Sequence, residues 1–360
     1  MRRLLALLAL GGLLVLGGAA DTARVAPDYA RVTPDVAVSF PADHGSHPAY
    51  RTEWWYVTGW LDTGQGPPLG FQVTFFRTRP NIDQANPSAF AAKQVLFAHA
   101  ALSDPKVGHL LHDQRVARAG FGLAEAREGD AGIVLDDWSL RRGPDNRWHT
   151  RAGGQDFTLD LTFDPTQAPI LQGRGGFSRK GPLPAQASHY YSLPQLKVSG
   201  TLLRGGKARA VTGRAWLDRE WSSTLLDATA VGWDWVGLNL DDGGALMAFQ
   251  VRDAGGKPVW AGGSYRSADG RQTVFGPADV AFTGRRTWTS PRTRAAYPVE
   301  RGLTVTLPTG PRTFVLKPLF DDQELDSRAG GGPVYWEGAV AADGARGYLE
   351  LTGYFEKLTL

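Results

Sequence analysis

Residues 213–221 alternate Trp216, Asp218 and Glu220 with Leu217, Arg219 and Trp221. Alternate side chains of a strand share a face, so the two carboxyls would stand about 6–7 Å apart beside an indole. Burial and like charge each raise a carboxyl pKa, the condition for an acid that stays protonated near neutral pH. The expected role of Asp218 is therefore proton donor, with Glu220 tuning it and Arg219 pointing away. The same pattern also fits a surface strand whose carboxylates pair with Arg214 or Arg219.

Two further segments mix polar groups with aromatics. Residues 188–194 hold His189, Tyr190, Tyr191 and Ser192; an extended chain puts His189 and Tyr191 on one face. Residues 40–56 place Asp43, His44 and His47 in a Pro/Gly loop, and Arg51 and Glu53 enter a strand on the face of Trp55. Such a loop can equally satisfy its own backbone through Asp43 and His44, with Arg51 pairing Glu53. His44, His47 and Glu53 are chemically suitable metal ligands, but their spacing matches no helix-borne zinc motif. No metal and no cofactor are expected. The absence of cysteine removes thiolate metal sites, disulfides and a cysteine nucleophile.

The elements that must position these residues are strands. Phe157, Leu159, Leu161 and Phe163 alternate with polar residues, as do Leu303, Val305 and Leu307, and Leu349, Leu351 and Phe355 share a face opposite Tyr348, Glu350 and Glu356. Turns are expected at residues 62–68, 153–154, 241–244, 254–257 and 330–333. Twelve tryptophans, 45 glycines and 23 prolines suit short strands and tight turns, and no heptad or Gly-rich phosphate loop appears. Trp54, Tyr56, Val57, Leu61 and Asp62 align with Trp233, Trp235, Val236, Leu240 and Asp241, and each group is followed by Phe-Gln-Val, at residues 71–73 and 249–251. This points to a duplicated β-unit, with convergence on strand chemistry as the alternative. Two antiparallel barrels are expected, divided between residues 221 and 231, with a propeller as the runner-up. A barrel of this kind would hold an apolar ligand inside it.

Arg2 and Arg3 precede an apolar run over residues 4–16, and Gly18 and Ala20 suit a signal peptidase. Residues 1–20 therefore read as a cleaved signal, in preference to an uncleaved anchor, and a periplasmic or extracellular protein without a transmembrane span is expected. Without the two arginines the net charge falls to about +1, with basic residues scattered, so neither nucleic acid nor an acidic membrane is an expected partner.

Residues 40–56, residues 213–221 with Leu225, and residues 232–235 together resemble the carotenoid hydratases and their lipocalin-like relatives, over nearly all of the chain after residue 20. The resemblance implies an all-β chain of two tandem antiparallel lipocalin-like (calycin-type) barrels, here residues 36–222 and 223–360. It also implies cofactor-free addition of water to an isoprenoid double bond. The hydratase pattern of a histidine with an aromatic residue two positions on, then an aromatic residue two before an aspartate, falls on His189, Tyr191, Trp216 and Asp218. Tyr191 stands where the hydratases have tryptophan and Trp216 where they have tyrosine, and Arg219-Glu220-Trp221 is similar to the non-carotenoid branch. Glu53, Trp55, Trp233 and Trp235 are the expected ligand contacts. The expected activity is a hydro-lyase acting on a hydrophobic isoprenoid or lipid-like molecule. The alternatives are a carrier of such a molecule, with a link to a membrane transporter, and a glycosidase built on Asp218 and Glu220.

Overall fold

The computed structural model describes residues 28–359, so the expected signal lies outside the described residues. Two 3-10 turns, Ala42–His44 and Arg328–Gly330, are the only helical elements among them, and no helix is long and apolar enough to cross a membrane. The period-two patterns form strands as expected. Along Phe157–Asp164 the four apolar side chains are buried and Asp160 is exposed.

Thirteen antiparallel strands between Thr52 and Thr224 form one sheet, whose last short strands return against its opposite edge. Ten more, between Ala230 and Leu351, form a second. The fold is thus a pair of lipocalin-like barrels. Each is built on a similar frame: Thr52–Asp62 lies between the next strand, Leu69–Thr78, and the last of its sheet, Lys207–Thr224. Ala230–Leu240 likewise lies between Ala245–Asp253 and Ala345–Leu351. The paired Phe-Gln-Val triplets, however, are not equivalent. Phe71 lies opposite Gly59 and points into the first barrel, whereas Phe249 lies opposite Trp235 and points between the barrels. A slip that reverses a side chain's face removes the packing equivalence, so this part of the match is convergence on strand composition.

Trp55, Phe71, Phe75, Trp138, Trp148 and Phe163 fill the first barrel's interior. The expectation of a ligand inside a barrel is therefore corrected: bulky side chains occupy that space, and the main carboxyl-lined cavity lies outside it. One end of the first barrel is closed by a buried ion cluster. Glu53 accepts from Arg77 Nε at 2.5 Å, from Ser46 Oγ at 2.8 Å and from Arg219, whose guanidinium lies 3.9 Å from the Trp55 ring centroid. Although burial opposes ionisation, Arg219, His47 and Arg77 hold the Glu53 carboxyl well below the usual range. In the second barrel Asp234 occupies a comparable place, accepting from Arg252 Nε at 2.9 Å and Arg301 Nη2 at 2.8 Å.

The two barrels meet through their aromatic outer faces: Tyr56, Trp60, Tyr190 and Trp216 from the first pack on Trp235, Met247, Phe249 and Tyr348 from the second. Trp60 Nε1 donates to Gly347 O at 3.0 Å and Asn239 Nδ2 to Ala215 O at 3.1 Å. At Gly70 the approach leaves no room for a side chain, since a Cβ there would lie 2.6 Å from both Ala339 and Tyr348.

The ion cluster gives a stability prediction. Glu53→Gln leaves Arg77 and Arg219 buried without their counter-ion and should destabilise the fold by about 3–5 kcal/mol in urea unfolding at neutral pH. Because the Glu53 pKa is depressed, its contribution is present above the ordinary glutamate pKa and is lost on acidification, so the two proteins should converge as pH falls. Equal stability at neutral pH would contradict the role given to Glu53.

Candidate active site between the two barrels

A cavity of about 270 Å³ lies where the barrels meet. Its first wall comes from the strands Thr52–Asp62, Ala187–Arg204 and Lys207–Thr224, and its second from Ala230–Leu240, Ala245–Asp253, Val334–Ala342 and Ala345–Leu351. Strand alternation decides which side chains reach it. Asp218 and Glu220 project from the outer face of the first barrel into the cavity, with Trp216 packed on the same face, while Arg219 and Trp221 turn into the first barrel.

Asp218 accepts three hydrogen bonds, from Tyr190 Oη at 2.6 Å, Ser192 Oγ at 2.5 Å and Trp216 Nε1 at 2.7 Å. Trp235 Nε1 donates to Tyr190 Oη at 3.1 Å from the opposite barrel. Burial pushes the Asp218 carboxyl up to about 7, against the lowering effect of its three donors, and Glu220 adds a smaller upward push. Burial rather than like charge is thus the larger cause. Glu220 is itself held by Ser188 and by Lys180, whose Nζ lies 3.0 Å away and stacks over the Tyr190 and Phe249 rings.

Across the cavity, Glu337 and Glu350 are register partners on adjacent strands. Glu337 Oε1 accepts from Tyr56 Oη at 2.5 Å. Burial, followed by Glu350, raises the Glu337 carboxyl well above the usual range, and burial raises Glu350 to about 8. Tyr335 Oη lies 2.9 Å from His99 Nδ1, and burial lowers the His99 pKa to about 3, leaving that ring neutral. Trp54, Phe76, Phe97, Trp233 and Trp235 supply the apolar surface.

The expected grouping of Asp218 with His189 and Tyr191 does not form. Tyr190 pairs with Glu220 and Ser192 with Asp218, so those two residues share the cavity face and their neighbours take the other. Tyr191 lies inside the first barrel, 2.6 Å from His44 Nδ1. His189 is fully buried beside Tyr50 and Trp221, and burial lowers its pKa to about 4. Of the four expected ligand contacts, Trp233 and Trp235 line the cavity, but Glu53 belongs to the ion cluster and Trp55 to the barrel core. Trp54 and Tyr56, one position along, take their places. His44 and His47 do not converge with Glu53 as a ligand set. His44 turns to Tyr191, and His47 stacks on Trp221 at 4.0 Å with its ring nitrogens facing Asp43 and Glu53.

A larger and more open groove, about 620 Å³, lies beyond Phe249 against Arg179 and Trp260, but none of its described lining residues is a carboxylic acid. The buried carboxyls suited to proton transfer therefore line the interbarrel cavity, where an apolar guest would meet groups held near or above neutral pKa by burial.

These pKa shifts predict a pH dependence of stability. A carboxyl whose folded pKa is raised stabilises the fold fully below its unfolded pKa and loses that contribution as pH rises through the folded value. For Asp218 and Glu350 the loss runs from about pH 4 to pH 7 and 8 respectively. Glu350→Gln should remove one such dependence, flattening the urea-unfolding free energy by roughly 1.4 kcal/mol per pH unit between those limits. Parallel pH curves for the two proteins would contradict the burial of Glu350 as a neutral acid.

Comparison with known proteins places the chain in a family. No curated protein matches the chain. A solved structure of an AttH from Nitrosomonas europaea is 52% identical, with a TM-score of 0.83 over 90% of this chain and 99% of that one. Kievitone hydratase from Nectria haematococca shares the fold at 16% identity, with a TM-score of 0.65 over 91% of this chain and 97% of that one. CghA, solved with Sch210972, does so at 12% identity, with a TM-score of 0.54 over 91% and 97%. These folds agree with the resemblance to lipocalin-like relatives of the carotenoid hydratases drawn from residues 40–56, 213–221 and 232–235. Residues 31–354 match the AttH-like family model, and the chain belongs to the AttH-like family.

Proposed function

We propose that the chain is a hydratase-type lyase that adds water to a carbon–carbon double bond of a hydrophobic, isoprenoid or lipid-like molecule held between the barrels. The observation that carries this reading is Asp218, a buried carboxyl with a pKa near 7 that faces an aromatic cavity. Proton transfer is most effective when the group's pKa lies near the working pH. Protonation of a branched alkene creates a tertiary carbocation, and the faces of Trp54, Trp233 and Trp235 would attract that charge, by about 2 kcal/mol when desolvated. Each step can be performed by carboxyls and water, so no cofactor enters the proposal.

The fold shared with kievitone hydratase supports the hydratase reading. Export through residues 1–20, and hence action outside the cytoplasm, is part of the same proposal.

The test is hydration of a panel of isoprenoid alkenes in isotopically labelled water. Asp218→Asn keeps the shape but removes the titrating group, so label incorporation should fall by a factor on the order of a hundred or more while near-ultraviolet circular dichroism is retained. Wild-type rates in the variant would overturn the role given to Asp218, and hydration of no alkene by the wild-type protein would overturn the proposal. Co-purified apolar molecules recovered from the wild-type protein unchanged, with no alkene hydrated, would support a carrier instead.

A further inference from the structure

Hydration needs two proton transfers, one to carbon and one from the attacking water, and the two walls of the cavity carry carboxyls in different surroundings. Both oxygens of Asp218 are occupied as acceptors: Oδ1 takes Ser192 Oγ and Trp216 Nε1, and Oδ2 takes Tyr190 Oη. Three donors aimed at one carboxyl favour its ionised form and fill three of its roughly four acceptor directions. Glu337 is the reverse case. It is 1% exposed, lines the cavity, and takes a single hydrogen bond, from Tyr56 to Oε1. Its Oε2 is buried and meets no hydrogen-bonding partner among the described residues.

Neutralisation explains that geometry. Lys180 is the one lysine or arginine among the described cavity-lining residues, and it is paired with Glu220. The titratable groups around Glu337 are Tyr56, from the first barrel, and Tyr335, Tyr348 and Glu350, from the second, none of which would balance a carboxylate. An uncompensated buried carboxylate takes up a proton rather than remain charged. With Oε1 accepting from Tyr56, the hydrogen belongs on Oε2, the oxygen left free. Tyr56 is also the register partner of Asp218, so one side chain links the two walls.

Resting on the hydration reading, we infer that Glu337 is the acid that protonates the alkene and that Asp218 is the base that takes the proton of the attacking water. The π electrons of the double bond form a C–H bond as the Glu337 O–H bond breaks, leaving a carbocation and a Glu337 carboxylate. A water oxygen bonds to the cation and its proton passes to the Asp218 carboxylate, giving the alcohol. Return of that proton from Asp218 to Glu337 by way of solvent, after the product leaves, restores both groups with no net change beyond addition of water. This direction is opposite to the donor role expected of Asp218 from the sequence. The raised pKa of Glu337, caused by burial and then by Glu350, agrees with a neutral resting acid.

Two readouts on the full protein require no turnover, so they fail independently of the hydration reading. The first is binding of protonated N,N-dimethyldodecylamine, whose ammonium imitates the cation, compared with a branched hydrocarbon of the same shape, at a pH just above 7. Asp218→Asn should weaken the amine by about tenfold or more relative to the hydrocarbon, while Glu337→Gln leaves the ratio within about twofold. The second is the infrared band of protonated carboxyl groups, which should lose intensity in Glu337→Gln and persist in Asp218→Asn. Hydration by Glu337→Gln should fall by a factor on the order of a hundred. The inference is overturned by amine binding that depends on Glu337 instead of Asp218 or on neither, by a carboxylic band that disappears in Asp218→Asn alone, or by wild-type hydration in Glu337→Gln. Wild-type hydration by Asp218→Asn would likewise overturn the base role of Asp218, whereas it is the hydration reading that fails if the wild-type protein hydrates no alkene.

Discussion

Each barrel carries an apolar outer face that water cannot be allowed to cover, and each covers the other's. In the strand Thr52–Asp62 the alternation sends Trp55 and Val57 into the first barrel and Tyr56 and Trp60 against the second, so both faces are buried. The strand Ala230–Leu240 is used in the same way, with Val236 and Leu238 inward and Trp235 toward the first barrel. Polar groups on such a face lose their water when the barrels close. That desolvation dominates the raised pKa values of Asp218, Glu337 and Glu350. Docking of two aromatic sheets therefore makes the cavity and tunes its acids together.

Much of the fold was legible because the apolar alternation of strands such as Phe157–Asp164 is a direct consequence of half-burial. The match of Trp54 and Tyr56 with Trp233 and Trp235 correctly located the two central strands. What could not be read was the covering of the polar-looking faces. Glu350 alternates with Leu349 and Leu351 as an ordinary outward carboxylate would, yet that outward side faces the other barrel. Glu337 was missed for the same reason, since nothing in residues 334–342 separates a solvent-facing glutamate from one facing a second sheet.

The choice of His189 and Tyr191 shows a related limit. Period two says which residues share a face within one strand, but not the register between strands. The pairing of Ala187–Arg204 with Lys207–Thr224 shifts between Leu193 and Leu196, and Ser192 rather than Tyr191 comes to lie opposite Asp218. Once that register is known, Tyr190 and Ser192 follow as the donors to Asp218. The same one-residue ambiguity puts Glu53 and Trp55 on the inward face and Trp54 and Tyr56 on the cavity face. The types of Glu53 and Trp55 are explained by the ion cluster that closes the first barrel, where Arg219 is shared between the Glu53 carboxylate and the Trp55 ring.

The central claim is that the reactive site lies between the barrels and not within either. A crystal structure of the protein soaked with a branched long-chain alkene tests it most directly. The account predicts ligand density bounded by Trp54 and Trp233, with Asp218 and Glu337 on opposite sides of the chain. Density inside a barrel, or confined to the groove at Arg179 and Trp260, would contradict it.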